Sequence, residues 1–178
     1  PNRFLQAAFA GAGIFQVTNQ PRQGINYNAF PDYELIIVND LQSISSGLGA
    51  ELRQYMSNGG NVLLFPANQA EVESYNRFLR QAGANELQQF EETAREASII
   101  NTSEFIFNDV FENVSSNLKL PNTRGNYRIT RLSSRNGESL ITYRDGSPFL
   151  VKYPNEQGHL YFSSAPLSLD HNNQIGRA

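Results

Sequence analysis

The sequence predicts an α/β protein, a doubly wound, mostly parallel sheet that carries a C-terminal antiparallel β meander. Three patterns lead there. In "YELIIVNDLQSISSGLGAEL", residues 33–52, an aliphatic run enters a polar turn and then takes helical spacing. "VLLF" at 62–65 follows as a second apolar run, and strand, helix, strand over roughly 35 residues is a βαβ unit. Near the end, "ESLITYR", "SPFLVKY" and "HLYFSSAP" are β-rich runs separated by "DG" and a Gly-containing turn.

In chain order, "NRFLQAAFAG" (2–11) spaces Phe4, Leu5, Ala8 and Phe9 one turn apart and stops at Gly11, the pattern of a short amphipathic helix. "IFQVT" reads as a strand, and "QPRQGINYNAFPD" (20–32), with two prolines and a glycine, as a loop. Leu35 to Val38 lacks polar alternation, which predicts a strand covered on both faces. From Ser46 onward Leu48, Leu52, Tyr55 and Met56 share a helical face, and "NGG" at 58–60 supplies the stop. For the next helix Asn68 and Glu71 suggest a capping box. Val72, Tyr75, Phe78, Leu79 and Ala82 form its apolar stripe, and Gly83 ends it. Two such units in succession suggest the doubly wound sheet. Beyond them "ASIINT" reads as a strand, "FNDVFENV" as a helical turn or two, and "LPNTRGNYRITRL" as a loop and an extended segment.

At 178 residues one domain is expected, with residues 1–100 as the α/β core and 101–178 as a β-rich extension completing it. A net charge of -3 and scattered arginines give no footprint for nucleic acid. The apolar runs are too short to cross a bilayer, so no membrane insertion by this segment is expected. Without cysteine there is no disulfide framework and no thiolate nucleophile. The opening "PNRFLQAAF" and the closing "NQIGRA" suggest a piece of a longer protein.

Ligands of open α/β sheets gather beyond the carboxyl ends of the strands, which makes Asn39, Asp40, Ser45 and Ser46 the candidate binding crevice. The plainer reading is a turn at Asn39 and Asp40 and a helix cap at Ser45 or Ser46. "NDLQSISSG" lacks the glycine spacing of a phosphate cradle. A hydrolase reading needs Asp170 or His171 to fold back onto Asp40 or a serine. A glycan-binding reading needs a groove lined by several of Tyr27, Tyr33, Tyr127, Tyr143 and Tyr153. His159 reads as a strand surface residue, and Glu91 with Glu92 as a solvated face. No metal site and no cofactor are expected.

The run "YELIIVNDLQSISSGLGAELRQYMSNGGNVLLFPA", with the ending "DGSPFLVKYPNEQGHLYFSSAPLSLD", resembles the class I glutamine amidotransferase-like, flavodoxin-like domain of BatA-type bacterial membrane proteins. Similar strand, helix, "GG", strand modules occur in gliding-motility transporters and in β-galactosidase trimerisation domains. The resemblance implies a membrane-anchored parent with an N-terminal double-transmembrane region. It places this domain on the periplasmic face of the inner membrane, as a scaffold for protein partners or neighbouring domains. Amidotransferases of this class use a cysteine nucleophile and a downstream His-Glu pair. Neither stands here, so the resemblance implies a non-catalytic module, with small-ligand or glycan binding, or a hydrolase using the Asp40/Ser45 crevice, as alternatives.

Overall fold

The computed structural model describes residues 16–101, 122–130 and 137–167, together with residue 5. Apart from residue 5, which is helical, the expected helices over 2–11 and 107–114, and Asp170 with His171, lie outside these residues. Residues 16–18 of the expected first strand are without regular structure, while the expected loop 20–32 closes with a 3-10 helix, Tyr27–Asp32.

The first βαβ unit forms where its local signals stand. Strand β1 (Leu35–Leu41) leads to a helix, Ser46–Ser57, whose N-cap Ser45 accepts a hydrogen bond from the Leu48 N–H at 3.2 Å. The helix ends at "NGG": Gly59 takes φ +98°, the left-handed region open to glycine, and Gly60 N–H returns to the Tyr55 carbonyl at 3.0 Å. Strand β2 (Asn61–Pro66) then pairs with β1 in parallel. The second helix, Val72–Gln81, buries Tyr75, Phe78 and Leu79 and stops before Gly83 at φ +73°. The Asn68 capping box does not form: Glu71 itself takes the N-cap position, without a side-chain cap.

From this point the doubly wound expectation is overturned. The second helix leads not to a third parallel strand but to β3 (Leu87–Glu91), which pairs antiparallel with β6 (Asn126–Ile129) in a separate two-stranded sheet. Strand β4 (Arg95–Ile100) and the short β5 (Asn122–Thr123) follow. Then come β7 (Glu138–Tyr143), β8 (Pro148–Asn155) and β9 (Gly158–Ser163). The main sheet is ordered β1-β2-β9-β8-β7-β4-β5, and only the β1–β2 and β2–β9 pairings are parallel. It is a curled, mixed sheet with few and short helices rather than a parallel sheet wound on both faces.

The physical reason is visible in the burial of the strands. In β2, Val62 and Leu64 are fully buried while Leu63 and Phe65 are half-buried; in β1, Leu35 is 38% exposed. Aliphatic residues on a half-covered face read, in sequence, like those on a covered one. The buried set lies in two rows across four strands. Ile36, Val62, Leu160 and Tyr153 form one; Val38, Leu64, Phe162 and Val151 form the other. Both helices press on these rows, with Leu52, Met56, Phe78 and Leu79 in the same core. The polar "LQQFE" of β3 could not occupy the centre of such a sheet, whereas "HLYFS" of β9 alternates to suit it.

Strand β9 enters beside β2 through a close backbone contact. A Cβ on Gly158 would lie 2.0 Å from the Gly60 carbonyl oxygen and 2.5 Å from that of Met56. The Gly158→Ala variant should therefore lose about 3 kcal/mol of stability by urea denaturation. Gly47→Ala, in the first helix with nothing near its Cβ position, should be neutral or gain up to about 1 kcal/mol. Equal effects of the two changes would refute the contact.

Candidate functional site

The carboxyl ends of the three parallel strands, β1, β2 and β9, come together at one edge of the sheet. Asn39 and Asp40 sit at the first, Ala67 follows the second, and Ser163 and Ser164 lie at the third. Asp40 is exposed and takes φ +57° where the β1–β2 register skips from Asn39–Phe65 to Leu41–Pro66, so it is the bulged residue. Asn39 is half-buried. Ser45 and Ser46 are exposed; Ser45 caps the helix and Ser46 begins it. No hydrogen bond among the described residues joins Asp40 to either serine. Four residues expected to form a crevice are thus distributed between a bulge and a helix start.

The space between the strand ends is taken by tyrosines from later in the chain. Tyr75, with no exposed surface, donates its hydroxyl to the Leu41 carbonyl at 2.5 Å. The Tyr127 hydroxyl lies 2.8 Å from the Ala67 carbonyl, as its donor, and accepts the Ala70 N–H at 2.9 Å. Ser74 adds a third tie, accepting the Ile44 N–H at 3.2 Å and donating to the Glu71 carbonyl at 2.9 Å. The loops after β1 and β2 are stapled to each other and to the second helix, and Glu71 N–H donates to the Gln42 carbonyl at 2.7 Å. Beneath the end of β9, Thr123 Oγ1 donates to the Tyr143 hydroxyl at 3.1 Å, which is 3.5 Å from Ser164 Oγ. Ser163 Oγ donates to the Ala165 carbonyl at 2.9 Å.

In the sequence Tyr127 and Tyr143 are candidates only for a glycan groove and Tyr75 for a helix stripe, and Ser163 and Ser164 are not candidates at all. "SSAP" just beyond β9 is the signal that could have marked them, since small polar residues past the end of a parallel strand line the same edge as Asn39 and Asp40. It was hidden because β9 reads as one arm of a meander.

Chemically the edge is a set of hydroxyls already engaged with backbone and with one another. Among the described residues none of these hydroxyls bonds to a histidine or a carboxylate that could take its proton. No group of three potential metal-ligating side chains occurs among them either. His159 lies at the opposite end of β9, half-buried, with Nδ1 3.2 Å from Asn61 Oδ1. The tyrosine groove of the glycan reading is not built: Tyr127, Tyr143 and Tyr153 are core residues with their hydroxyls turned inward. Glu91 is no solvated face. It meets Arg95 at 2.9 Å and Arg128 as well, and the Arg95 guanidinium stands 5.7 Å from the Tyr143 ring centroid.

No family model matches the chain, and no curated protein matches it. Solved structures do. The fold is similar to that of cytoplasmic protein STM1381 from Salmonella typhimurium LT2, at TM-score 0.70 and 16% identity over 93% of this chain and 76% of that one. It is similar to a ThuA-like protein from Bacteroides uniformis, at TM-score 0.66 and 14% identity over 99% and 76% of the two chains. A cold-adapted β-galactosidase from Rahnella sp. matches at TM-score 0.57 and 15% identity, over 85% of this chain but 22% of its own. At such identities the likeness carries the fold alone. The expected periplasmic position is corrected on the neighbours' descriptions alone, which call STM1381 a cytoplasmic protein. Separately, no helix among the described residues is long and apolar enough to cross a membrane.

Burial drives the tyrosine hydroxyls of Tyr75, Tyr127 and Tyr143 above their ordinary range and pushes Tyr153 up to about 12. A raised folded-state value means that the folded protein keeps protons which the unfolded chain releases near pH 10. The stabilisation is therefore complete below pH 10 and is lost as pH rises toward 12. Tyr153 alone should contribute a loss on the order of 2 kcal/mol, read as a falling urea midpoint between pH 9 and 12. A flat midpoint would show these hydroxyls to be solvated. At neutral pH, Tyr75→Phe should cost about 1 to 2 kcal/mol by leaving the half-buried Leu41 carbonyl without its donor.

Proposed function

We propose that the chain is a non-catalytic interaction module that docks a protein surface on the second face of its main sheet. The observation that carries this reading is the composition of that face. Leu35, Asn61, His159 and Pro154 form one row across β1, β2, β9 and β8, and Ile37, Leu63, Tyr161 and Lys152 form the next. Ile37, Leu63 and Phe65 are half-buried and belong to neither core cluster of the described residues, and the half-buried Tyr161 ring beside them lies 6.1 Å from that of His159. The two α-helices press on the opposite face. An apolar and aromatic centre bordered by polar side chains is the anatomy of a protein interface.

The non-catalytic half of the reading is supported by the strand ends, where tyrosines spend their hydroxyls on backbone and, among the described residues, none of the serines there bonds to a histidine or a carboxylate. The match to about a fifth of a β-galactosidase chain supports a fold that serves as one module of a larger protein. A hydrolase built on Asp40 and Ser45 finds no support in their placement. Small-ligand binding is favoured by a separate observation, a groove on the helix side of the sheet.

A photo-cross-linking residue at position 161 of the protein in its own cells should capture a defined protein surface. The same residue at position 73, where the Glu73 side chain is 66% exposed on the second helix, should not. Leu35→Glu should weaken capture at 161 while changing stability by no more than about 0.5 kcal/mol. Indifference to Leu35→Glu, or equal capture from the two positions, would overturn the proposal.

A further inference from the structure

On its outer side the first helix presents Arg53, Gln54 and Ser57 to a groove of about 270 Å³. Gln81 from the end of the second helix closes a further side, and Asn155 and Glu156 from the β8–β9 turn close the last. Positions 50, 53, 54 and 57 recur at helical spacing on the face away from Leu52 and Met56. The groove is therefore a product of three separate elements, and it lies on the other side of the sheet from the proposed docking face.

Arg53 and Glu156 share this groove without pairing, and neither enters an ion pair with any described residue. Arg53 Nε is buried and meets no acceptor. Glu156 is held on backbone at φ +53°, a left-handed conformation that a non-glycine residue adopts at a cost, and the adjoining Asn155 Nδ2 ties the turn to the Ala82 carbonyl at 3.1 Å. Two unlike charges are thereby kept apart across a gap lined by amides and a hydroxyl. Ser57 Oγ already donates to the Gln54 carbonyl at 2.9 Å, so toward the groove it can only accept.

We propose that this groove binds a small zwitterion of the free amino-acid class, its carboxylate on Arg53 and its ammonium on Glu156. A ligand with one charge would leave the opposite group unmatched. A planar or sugar-like ligand would want an aromatic platform, and among the described residues no aromatic ring lines the groove. The amides of Gln54, Gln81 and Asn155 suit a polar side chain. A guanidinium binds a carboxylate through paired N–H donors, an arrangement that lysine does not reproduce.

The test is calorimetry on the whole chain with glycine, L-serine and L-glutamine as probes, alongside N-acetyl-L-glutamine and L-glutamine methyl ester. At least one of the three free amino acids should bind saturably. The two blocked compounds, each lacking one charge, should bind about tenfold or more weakly than L-glutamine. Arg53→Gln and Glu156→Gln should each weaken binding by a similar factor, with thermal melting as a check that the fold is retained. Absence of saturable binding by all three up to about 10 mM would overturn the proposal. So would blocked compounds that bind as well as L-glutamine, or binding that survives both substitutions. None of these outcomes depends on whether a protein docks on the second face.

Discussion

The architecture depends on one contact between backbones. Gly158 lies against the carbonyls of Gly60 and Met56 so closely that no side chain fits between them, and His159 N–H reaches the Gly60 carbonyl at 3.3 Å. This contact admits β9 to the position beside β2 that a third βαβ strand would otherwise hold. Once there, β9 aligns Leu160 with Val62 and Phe162 with Leu64, and it carries β8 and β7 with it as antiparallel neighbours. The mixed sheet, the core cluster under both helices and the strand-end edge all follow from that insertion.

That insertion also fixes what the edge can do. Bringing Ser163 and Ser164 level with Asn39 and Ala67 creates the place where an α/β sheet does its chemistry. The chain then fills it. Tyr75 and Tyr127 each satisfy a loop carbonyl, that of Ala67 buried and that of Leu41 half-buried, which ties the edge down and leaves these hydroxyls spent. Structural satisfaction and chemical availability compete for the same hydroxyls, and here structure has taken them.

Much of the local structure was legible in the sequence. The aliphatic run of β1, the Ser45 cap, the "NGG" stop and the stripe of the second helix are short-range signals, and each marks an element or its end. Placement was not legible. "LIIV" reads as doubly covered although Leu35 and Ile37 face a half-exposed surface, because an aliphatic side chain does not state what lies over it. The polar β3 strand gives almost no signal, and Glu91 looks solvated until Arg95 and Arg128 fold onto it. At the candidate site Asn39, Asp40, Ser45 and Ser46 read in sequence as a binding crevice, with turn and cap as the plainer alternative; Asp40 is the bulge of β1 and Ser45 the N-cap of the first helix. Of the tyrosines that fill the edge, Tyr75 stands 34 residues beyond Leu41 and Tyr127 stands 60 beyond Ala67, out of reach of any pattern in the turn itself.

The central position of β9 sets an order on the birth of the fold. As the polypeptide leaves the ribosome, β1, the first helix, β2 and the second helix emerge well before residue 158. Until then one edge of β2 has no neighbour and half of the buried rows have no cover. A nascent chain in that state carries an open strand edge for the time needed to make roughly 90 further residues, on the order of several seconds at ordinary elongation rates. Closure is a long-range, late event, the kind that slows folding and exposes a chain to chaperones and to mispairing with its own copies.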